Sequence, residues 1–451
     1  MMTIFAEQVL TAKGWVKNLR LSVQQGKIVS IQPDTAPAPG DERHSIIVPA
    51  MANLHSHAFQ RGMAGLAELR GPTADSFWSW RSVMYHFALT MNPEQMEAVA
   101  AQLYVEMLEA GFCRVGEFHY LHHDKDGRAY GNLAEMAERI VAASDETGIE
   151  LTLLPVFYAH SGFGGTPPIE GQRRFINDLD QFVVLLEACR RLEQDRGSMV
   201  VGIAPHSLRA VTPEELNVLT GLDFEGPIHI HSAEQVKEVE DSLAWSGQRP
   251  IEWLLDHADL SKRWCLIHAT HMTEAEALGM ARSGAIAGLC PITEANLGDG
   301  VFPAPNFLDA GGRFGVGSDS NVLIGITDEL RQLEYSQRLG NRARNVVAAA
   351  NGSSGRRLFE SACEGGAAAL GVQSGIAEGL AAHLVSLTPR HPIGFEGDRL
   401  LDSWIFGNGA DVDSVWVAGN KLVKDGRHIR RDVIAQRFRQ AMTELLESFA
   451  G

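Results

Sequence analysis

The stretch Ser45-Ile46-Ile47-Val48-Pro49-Ala50-Met51-Ala52-Asn53-Leu54-His55-Ser56-His57 is an apolar run closed by two histidines one residue apart. A long apolar run ahead of a loop reads as a buried strand over 46–54. Residues two apart on an extended chain point to the same side. His55 and His57 therefore aim two imidazoles at one point, and neutral imidazole is the commonest metal-ligating side chain. An H-x-H at a strand end also arises for structural reasons alone, so the pair gains meaning from what lies downstream.

Downstream, short apolar runs alternate with helical patterns. Strand candidates fall at 46–54, 113–118, 150–156, 199–204, 227–231, 264–268, 285–289 and 314–317, with helix-like segments such as 93–110 and 133–147 between them. This alternation predicts a (β/α)8 TIM barrel, with a doubly wound open sheet as the alternative. A barrel places reactive groups at the carboxyl ends of its strands. His231 ends Pro227-Ile228-His229-Ile230-His231, and Glu234 follows three residues later. His268 ends Trp264-Cys265-Leu266-Ile267-His268, and Asp319 follows Phe314-Gly315-Val316-Gly317-Ser318. Three histidines and one aspartate around a divalent ion, with a position left for water, make a sound catalytic site. Zinc fits best on ligand type, and iron or manganese takes similar donors.

Each residue also has a plainer reading. A lone strand-end histidine is commonly a satisfied core residue, and an aspartate in Gly-Ser-Asp-Ser is commonly a turn or a helix cap. His229 shares a face with His231 and competes with it as a ligand; His231 is preferred because it lies nearer the strand end and Glu234. His119, His122 and His123 gather no second ligand set, and His122 and His123 read as loop residues. A second metal is not expected, since Lys125, Lys237 and Lys262 all lie away from strand ends. There is no H-E-x-x-H, G-x-S-x-G or P-loop.

Composition narrows the class. The chain has 451 residues, 45% hydrophobic and 21% charged, enough for one large domain and a smaller one. A net charge of −17 argues against nucleic acid and anionic membrane as partners, and means that an acidic substrate must be met by local arginines. Five scattered cysteines without a C-x-x-C suit a reduced cytoplasmic chain. The first residues lack a basic segment and a long apolar core, so no signal peptide is expected. Segments 19–31 and 415–426 each read as a β-hairpin. Together the chain ends predict a small β-sandwich domain from 1–48 plus 383–430, beside a barrel over 49–382. Residues 431–451 read as a terminal helix, with Val433, Ile434, Phe438, Met442, Leu445 and Leu446 on one stripe.

The order His55-x-His57, His231-x-x-Glu234, His268, Asp319 resembles the amidohydrolase superfamily, in its mononuclear deaminase branch. Three stretches are more particular: His55-Ser56-His57-Ala58-Phe59-Gln60-Arg61-Gly62, Ala204-Pro205-His206-Ser207-Leu208-Arg209 and His268-Ala269-Thr270-His271-Met272. They are similar to the formimidoylglutamate deiminases of bacterial histidine degradation. The resemblance implies one divalent metal ion, zinc by preference, held by His55, His57, His231 and Asp319. It implies catalytic roles for Glu234, His268 and Asp319, a small dicarboxylate substrate with a linear amidine, and a homodimer. Two carboxylates call for cationic or polar anchors. Arg209 and His206 follow strand 199–204, Gln60 follows the histidine pair, Tyr120 follows the second strand, and Arg81 lies in Trp78-Ser79-Trp80-Arg81. A surface position is the plainer reading for Arg81. The rival functions are deamination of guanine, cytosine or an S-adenosyl compound at the same site, and a non-catalytic metal-binding barrel.

Overall fold

Four strands open the chain: β1 (Met2–Thr11), β2 (Gly14–Gln24), β3 (Lys27–Gln32) and β4 (Glu42–Pro49). The structure, a computed structural model, describes residues 1–70, 77–390 and 394–450. The expected hairpin over 19–31 forms between β2 and β3. Its turn residues Gln25 and Gly26 both take left-handed backbone, with φ of 50° and 77°, as a tight two-residue turn requires.

Nine strand segments then run in parallel: β5 (Met51–Ser56), β6 (Phe112–His119), β7 (Glu150–Phe157), β8 (Val200–Val201), β9 (Ala204–Pro205), β10 (Ile228–Ser232), β11 (Trp264–His268), β12 (Ile286–Leu289) and β13 (Arg313–Val316). β8 and β9 both pair with β7 and form two parts of one strand position, interrupted at Gly202 and Ile203. Bridges from Ile203 to Ile228 and from Ser207 to His231 join them to β10. On the other side Ser56 bridges to Asp319; His57 N donates to Asp319 O at 3.1 Å, and Asp319 N donates to His55 O at 3.0 Å. The ring is closed, as the alternation of strands and helices predicts, and an open sheet is excluded.

The apolar run over 46–54 is two strands instead of one. Its first half is β4 of the terminal sheet and its second half is β5 of the barrel. Pro49 has no N–H to continue a ladder, and Ala50 N bonds His383 O at 3.1 Å as the chain crosses over. Both halves are buried, which is why hydrophobicity alone showed no break.

The chain ends in β14 (Leu384–Pro389), β15 (Ala410–Val417), β16 (Asn420–Lys424), β17 (Arg427–His428) and the helix Arg431–Ala450. β4 pairs with β1 on one side and β14 on the other, so both ends of the chain share one eight-stranded sheet in the order β17-β16-β15-β14-β4-β1-β2-β3. The second expected hairpin joins β15 to β16, with Ala418 and Gly419 left-handed at the turn. Of the predicted segments, 71–76 of the barrel, 391–393 of the small domain and 451 of the terminal helix lie outside the described residues.

The terminal helix packs on the helix Pro93–Glu109, and Gln95 Nε2 donates to Glu444 Oε2 at 3.0 Å. Its buried stripe is narrower than expected. Ile434 and Leu445 are buried, whereas Val433 is 63% exposed and Leu446 40% exposed. One residue turns a helix by about 100°, so these two side chains fall beside the face that packs on the neighbouring helices and swing to solvent.

Candidate active site

The strand ends deliver the histidines and the aspartate to one point. The ligating atoms of His55, His57, His231 and Asp319 all lie within 4.8 Å of one another, and all four residues are buried. Asp319 Oδ1 is 3.3 Å from His55 Nε2 and 3.2 Å from His57 Nε2. His57 Nδ1 donates to Phe118 O and His231 Nδ1 to His206 O, each at 3.0 Å. Those protons fix the tautomers and leave the Nε2 lone pairs facing inward. Burial pushes the His55 pKa down to about 3, so that ring is neutral as well. Burial opposes ionisation of Asp319, but the close approach of His55 and His57 outweighs that and holds its carboxyl well below the usual range. Neutral imidazoles converging on an ionised carboxylate fit a divalent cation. The competitor His229 faces a deeper layer, where its Nε2 donates to Ala369 O at 2.8 Å. His122 and His123 lie on the expected loop but are buried, bonded to Val156 O and Ile176 O. A second group, His268 with Cys290, reuses Asp319; burial pushes the Cys290 thiol well up, so it stays protonated.

Sharp turns carry the remaining groups over this point. Ala233, His268, Ala269 and Asp319 take left-handed backbone, with φ between 46° and 68°. Glu238 accepts the N–H groups of Ala233 and Glu234 at 3.1 and 3.0 Å, pinning the turn that presents Glu234. Glu234 lies two residues before the helix Val236–Ser246. Glu234 Oε1 lies 3.7 Å from His268 Nε2, and its Oε2 lies 3.8 Å from the Arg209 guanidinium. Burial raises the Glu234 pKa against the opposing charges of His268 and Arg209, so the group holds a proton more readily than a surface glutamate. Burial opposes charge on His268 too, but Glu234, Glu294 and Asp319 outweigh it and lift its pKa to about 10.

All five predicted anchors line the cavity above these groups: Gln60, Arg81, Tyr120, His206 and Arg209. Gln60 Nε2 donates to Tyr120 Oη at 3.0 Å, while Gln60 Oε1 is buried without a partner among the described residues. Such an orphan acceptor fits a donor on a bound molecule. Arg81 faces the cavity, and its Nε donates to Tyr85 Oη at 2.6 Å. Burial pushes the His206 pKa well down, beside the Arg209 charge, leaving a neutral ring.

Sequence reasoning missed Trp80, Met84, Tyr85, Tyr158, Phe175 and Leu297, which complete the wall. One signal was available: Tyr85 stands four residues after Arg81 on the helix Phe77–Thr90, so the two share a face. Phe118 was missed too; its ring packs beneath His55, His57 and His231.

Comparisons with known proteins bear on the family. Residues 46–422 match the Amidohydrolase family, and residues 1–45 match the N-terminal domain of formimidoylglutamate deiminase HutF. The chain is 50% identical to a formimidoylglutamate deiminase of Pseudomonas aeruginosa, over 99% of this chain and all of that one. It is 27% identical to a 5-methylthioadenosine/S-adenosylhomocysteine deaminase of Natronomonas pharaonis, over 94% and 92% of the two chains. The crystal structure of an amidohydrolase from Brucella melitensis superposes with a TM-score of 0.97 at 61% identity, over 99% of this chain and all of that one. The barrel, its converging histidines and aspartate and these likenesses lead to one assignment: the chain belongs to the amidohydrolase family, within its formimidoylglutamate deiminase group.

Proposed function

We propose that the protein hydrolyses N-formimidoyl-L-glutamate to N-formyl-L-glutamate and ammonia, a step of histidine degradation. Water adds to the formimidoyl carbon, the bond to the terminal nitrogen breaks, and that nitrogen leaves with the protons that water gave up. The observation that carries this reading is that Arg209 and Arg81 line the same cavity as the His/Asp group. Two guanidinium groups beside a deaminating centre suit an acyclic diacid. The 50% likeness to a formimidoylglutamate deiminase over the whole chain points the same way.

His55, His57, His231 and Asp319 would hold one divalent ion, zinc by preference for these donors. When bound, the ion supplies Lewis acidity that makes water nucleophilic at neutral pH. Asp319 is placed to take the proton that water loses. His268 stabilises the negative charge that develops on the adding oxygen by donating from Nε2. Glu234 protonates the imino nitrogen, which makes the carbon more electrophilic, and then assists the departure of ammonia. Arg209 and Arg81 hold the two carboxylates, while Gln60, Tyr120 and His206 orient the amidine.

The domain reading follows the cores. Ile4, Leu19, Leu21, Ile28, Leu384 and Trp416 belong to an apolar cluster separate from that of the barrel. That supports a small β-sandwich domain from 1–48 plus 383–430, a barrel over 49–382 and a terminal helix over 431–451. The working form is read as a cytoplasmic homodimer. Five free, buried cysteines suit a reducing compartment, and the dimer rests on the family resemblance. Among the described residues no helix is long and apolar enough to cross a membrane.

One observation favours a second reading: Trp80, Tyr85, Tyr120, Tyr158 and Phe175 give the cavity aromatic walls on which a base could stack. An ammonia-release assay decides between the two. Formimidoyl-glutamate is the expected substrate, and guanine, cytosine, adenosine and S-adenosylhomocysteine are expected to be inert. Release from a nucleobase or nucleoside alone overturns the proposal. Metal-replete protein inert on all of them revives the non-catalytic barrel.

A further inference from the structure

One buried carboxylate beside the site has no part in the chemistry above. Glu294 sits on the seven-residue helix Pro291–Leu297, just after β12, and is 5% exposed. Its Oε1 accepts the backbone N–H of Cys290 at 2.9 Å and faces His268 Nδ1 at 3.4 Å. The opposite edge of that ring, Nε2, looks toward Glu234 Oε1 at 3.7 Å and Asp319 Oδ2 at 3.9 Å. The strand does not fix this orientation by itself, because His268 has already left extended geometry (φ 68°). The same helix is tied to the turn that bears Asp319. Thr293 Oγ1 lies 2.9 Å from Ser320 Oγ and donates to Ser318 O at 3.3 Å.

The geometry points to Glu294 as a positioning residue that accepts the Nδ1–H of His268 and so turns the Nε2 edge of the ring toward Asp319 and Glu234. A histidine whose far nitrogen is tied to a carboxylate keeps one orientation instead of exploring its rotamers. One short helix then sets two groups at once: Thr293 steadies the aspartate turn and Glu294 steadies the imidazole. The inference rests on the catalytic reading of His268 given above.

The plain alternative is that Glu294 only caps its own helix through Cys290. A double-mutant comparison separates the two roles. Glu294→Ala is expected to lower kcat about 10- to 100-fold, with KM and metal content held within about twofold. Glu294→Gln keeps the side-chain shape and a neutral acceptor, and is expected to lower kcat in the same direction by less. In a His268→Ala background neither change should slow residual turnover further, because the group they act through is gone. A second readout needs no turnover: the Nδ1–H signal of His268 in protein labelled with 15N-histidine, assigned by its loss in His268→Ala, should disappear in Glu294→Ala. Full kcat in Glu294→Ala, an equal loss in the His268→Ala background, or a surviving His268 signal overturns the inference. Parent protein that releases no ammonia from formimidoyl-glutamate would sink the proposed function instead, and the NMR comparison would still decide the role of Glu294.

Discussion

The ε nitrogens of His55 and His231 stand 3.1 Å apart, although 176 positions of chain separate them. Two neutral imidazole nitrogens that close repel through their lone pairs unless a cation or a proton lies between them. A metal bound there stabilises the folded chain by mass action, about 2.7 kcal/mol at a hundredfold excess over Kd. Chelation should therefore lower Tm, and zinc should restore it in a concentration-dependent way. His231→Ala should abolish that dependence. A Tm that ignores both chelator and zinc would show that the cluster holds no ion.

Glu234 lies over the site without belonging to the ligand group, so its role can be separated from metal binding. Glu234→Gln removes an exchangeable proton and little else. Turnover should fall by at least about 100-fold, within the range for a lost general acid–base group, while metal content measured by elemental analysis stays at the wild-type level. Turnover close to wild type would remove Glu234 from proton transfer.

Arg209 is partly buried within 3.8 Å of Glu234, so truncating it strips the cavity of a cation and leaves a carboxylate without its neighbour. Removing one partner of a buried charge pair costs about 2–5 kcal/mol. Arg209→Ala should lower kcat/KM for formimidoyl-glutamate accordingly. Arg209→Lys should recover only part of that loss, because an ammonium cannot form a two-point bond to a carboxylate. Unchanged kcat/KM in Arg209→Ala would place this residue outside the substrate site.

Tyr85 holds Arg81 through a 2.6 Å bond from Nε. Burial pushes the Tyr85 pKa up to about 12, so the hydroxyl keeps its proton and serves the guanidinium as a neutral acceptor. A hydrogen bond to a charged group contributes about 1.5–3 kcal/mol. Tyr85→Phe should raise KM by about tenfold or more and leave kcat nearly unchanged if Arg81 binds a substrate carboxylate as proposed, away from the reacting atoms. Steady-state kinetics on the variant give both constants; a loss confined to kcat would contradict this division of labour.

The convergence of four side chains was legible because barrel chemistry sits at strand ends, where a histidine after an apolar run stands out. His55, His57, His231 and Asp319 needed no knowledge of distant contacts. Two features escaped for lack of that knowledge. The run over 46–54 serves two buried sheets, and the signal that divides it, Pro49 meeting a crossover to His383, depends on a partner more than 300 residues away. Glu294 carries no motif, and only the folded chain brings it beside His268. Val433 and Leu446 were misplaced for the opposite reason: periodicity marks an apolar stripe but not how wide a neighbour will cover it.

Far from the chemistry, Glu150 opens β7 and joins two strands to the chain that enters the terminal sheet. Its carboxylate bonds Arg114 at 2.5 Å and lies 3.4 Å from His383 Nε2. Burial works against its charge, but the bond from His383 and the Arg114 cation outweigh that and hold its pKa below the ordinary value of 4.5. A carboxyl depressed in the folded state contributes stability that is fully present above the unfolded pKa and is lost as pH falls through the folded value. Glu150→Gln should therefore be less stable than the parent at pH 7, and the gap should narrow steadily below about pH 4.5 as the parent's carboxylate is titrated. Urea unfolding of both proteins at neutral and acid pH measures the difference. A gap that stayed constant, or widened toward acid, would mean that the charge of Glu150 does not hold this junction.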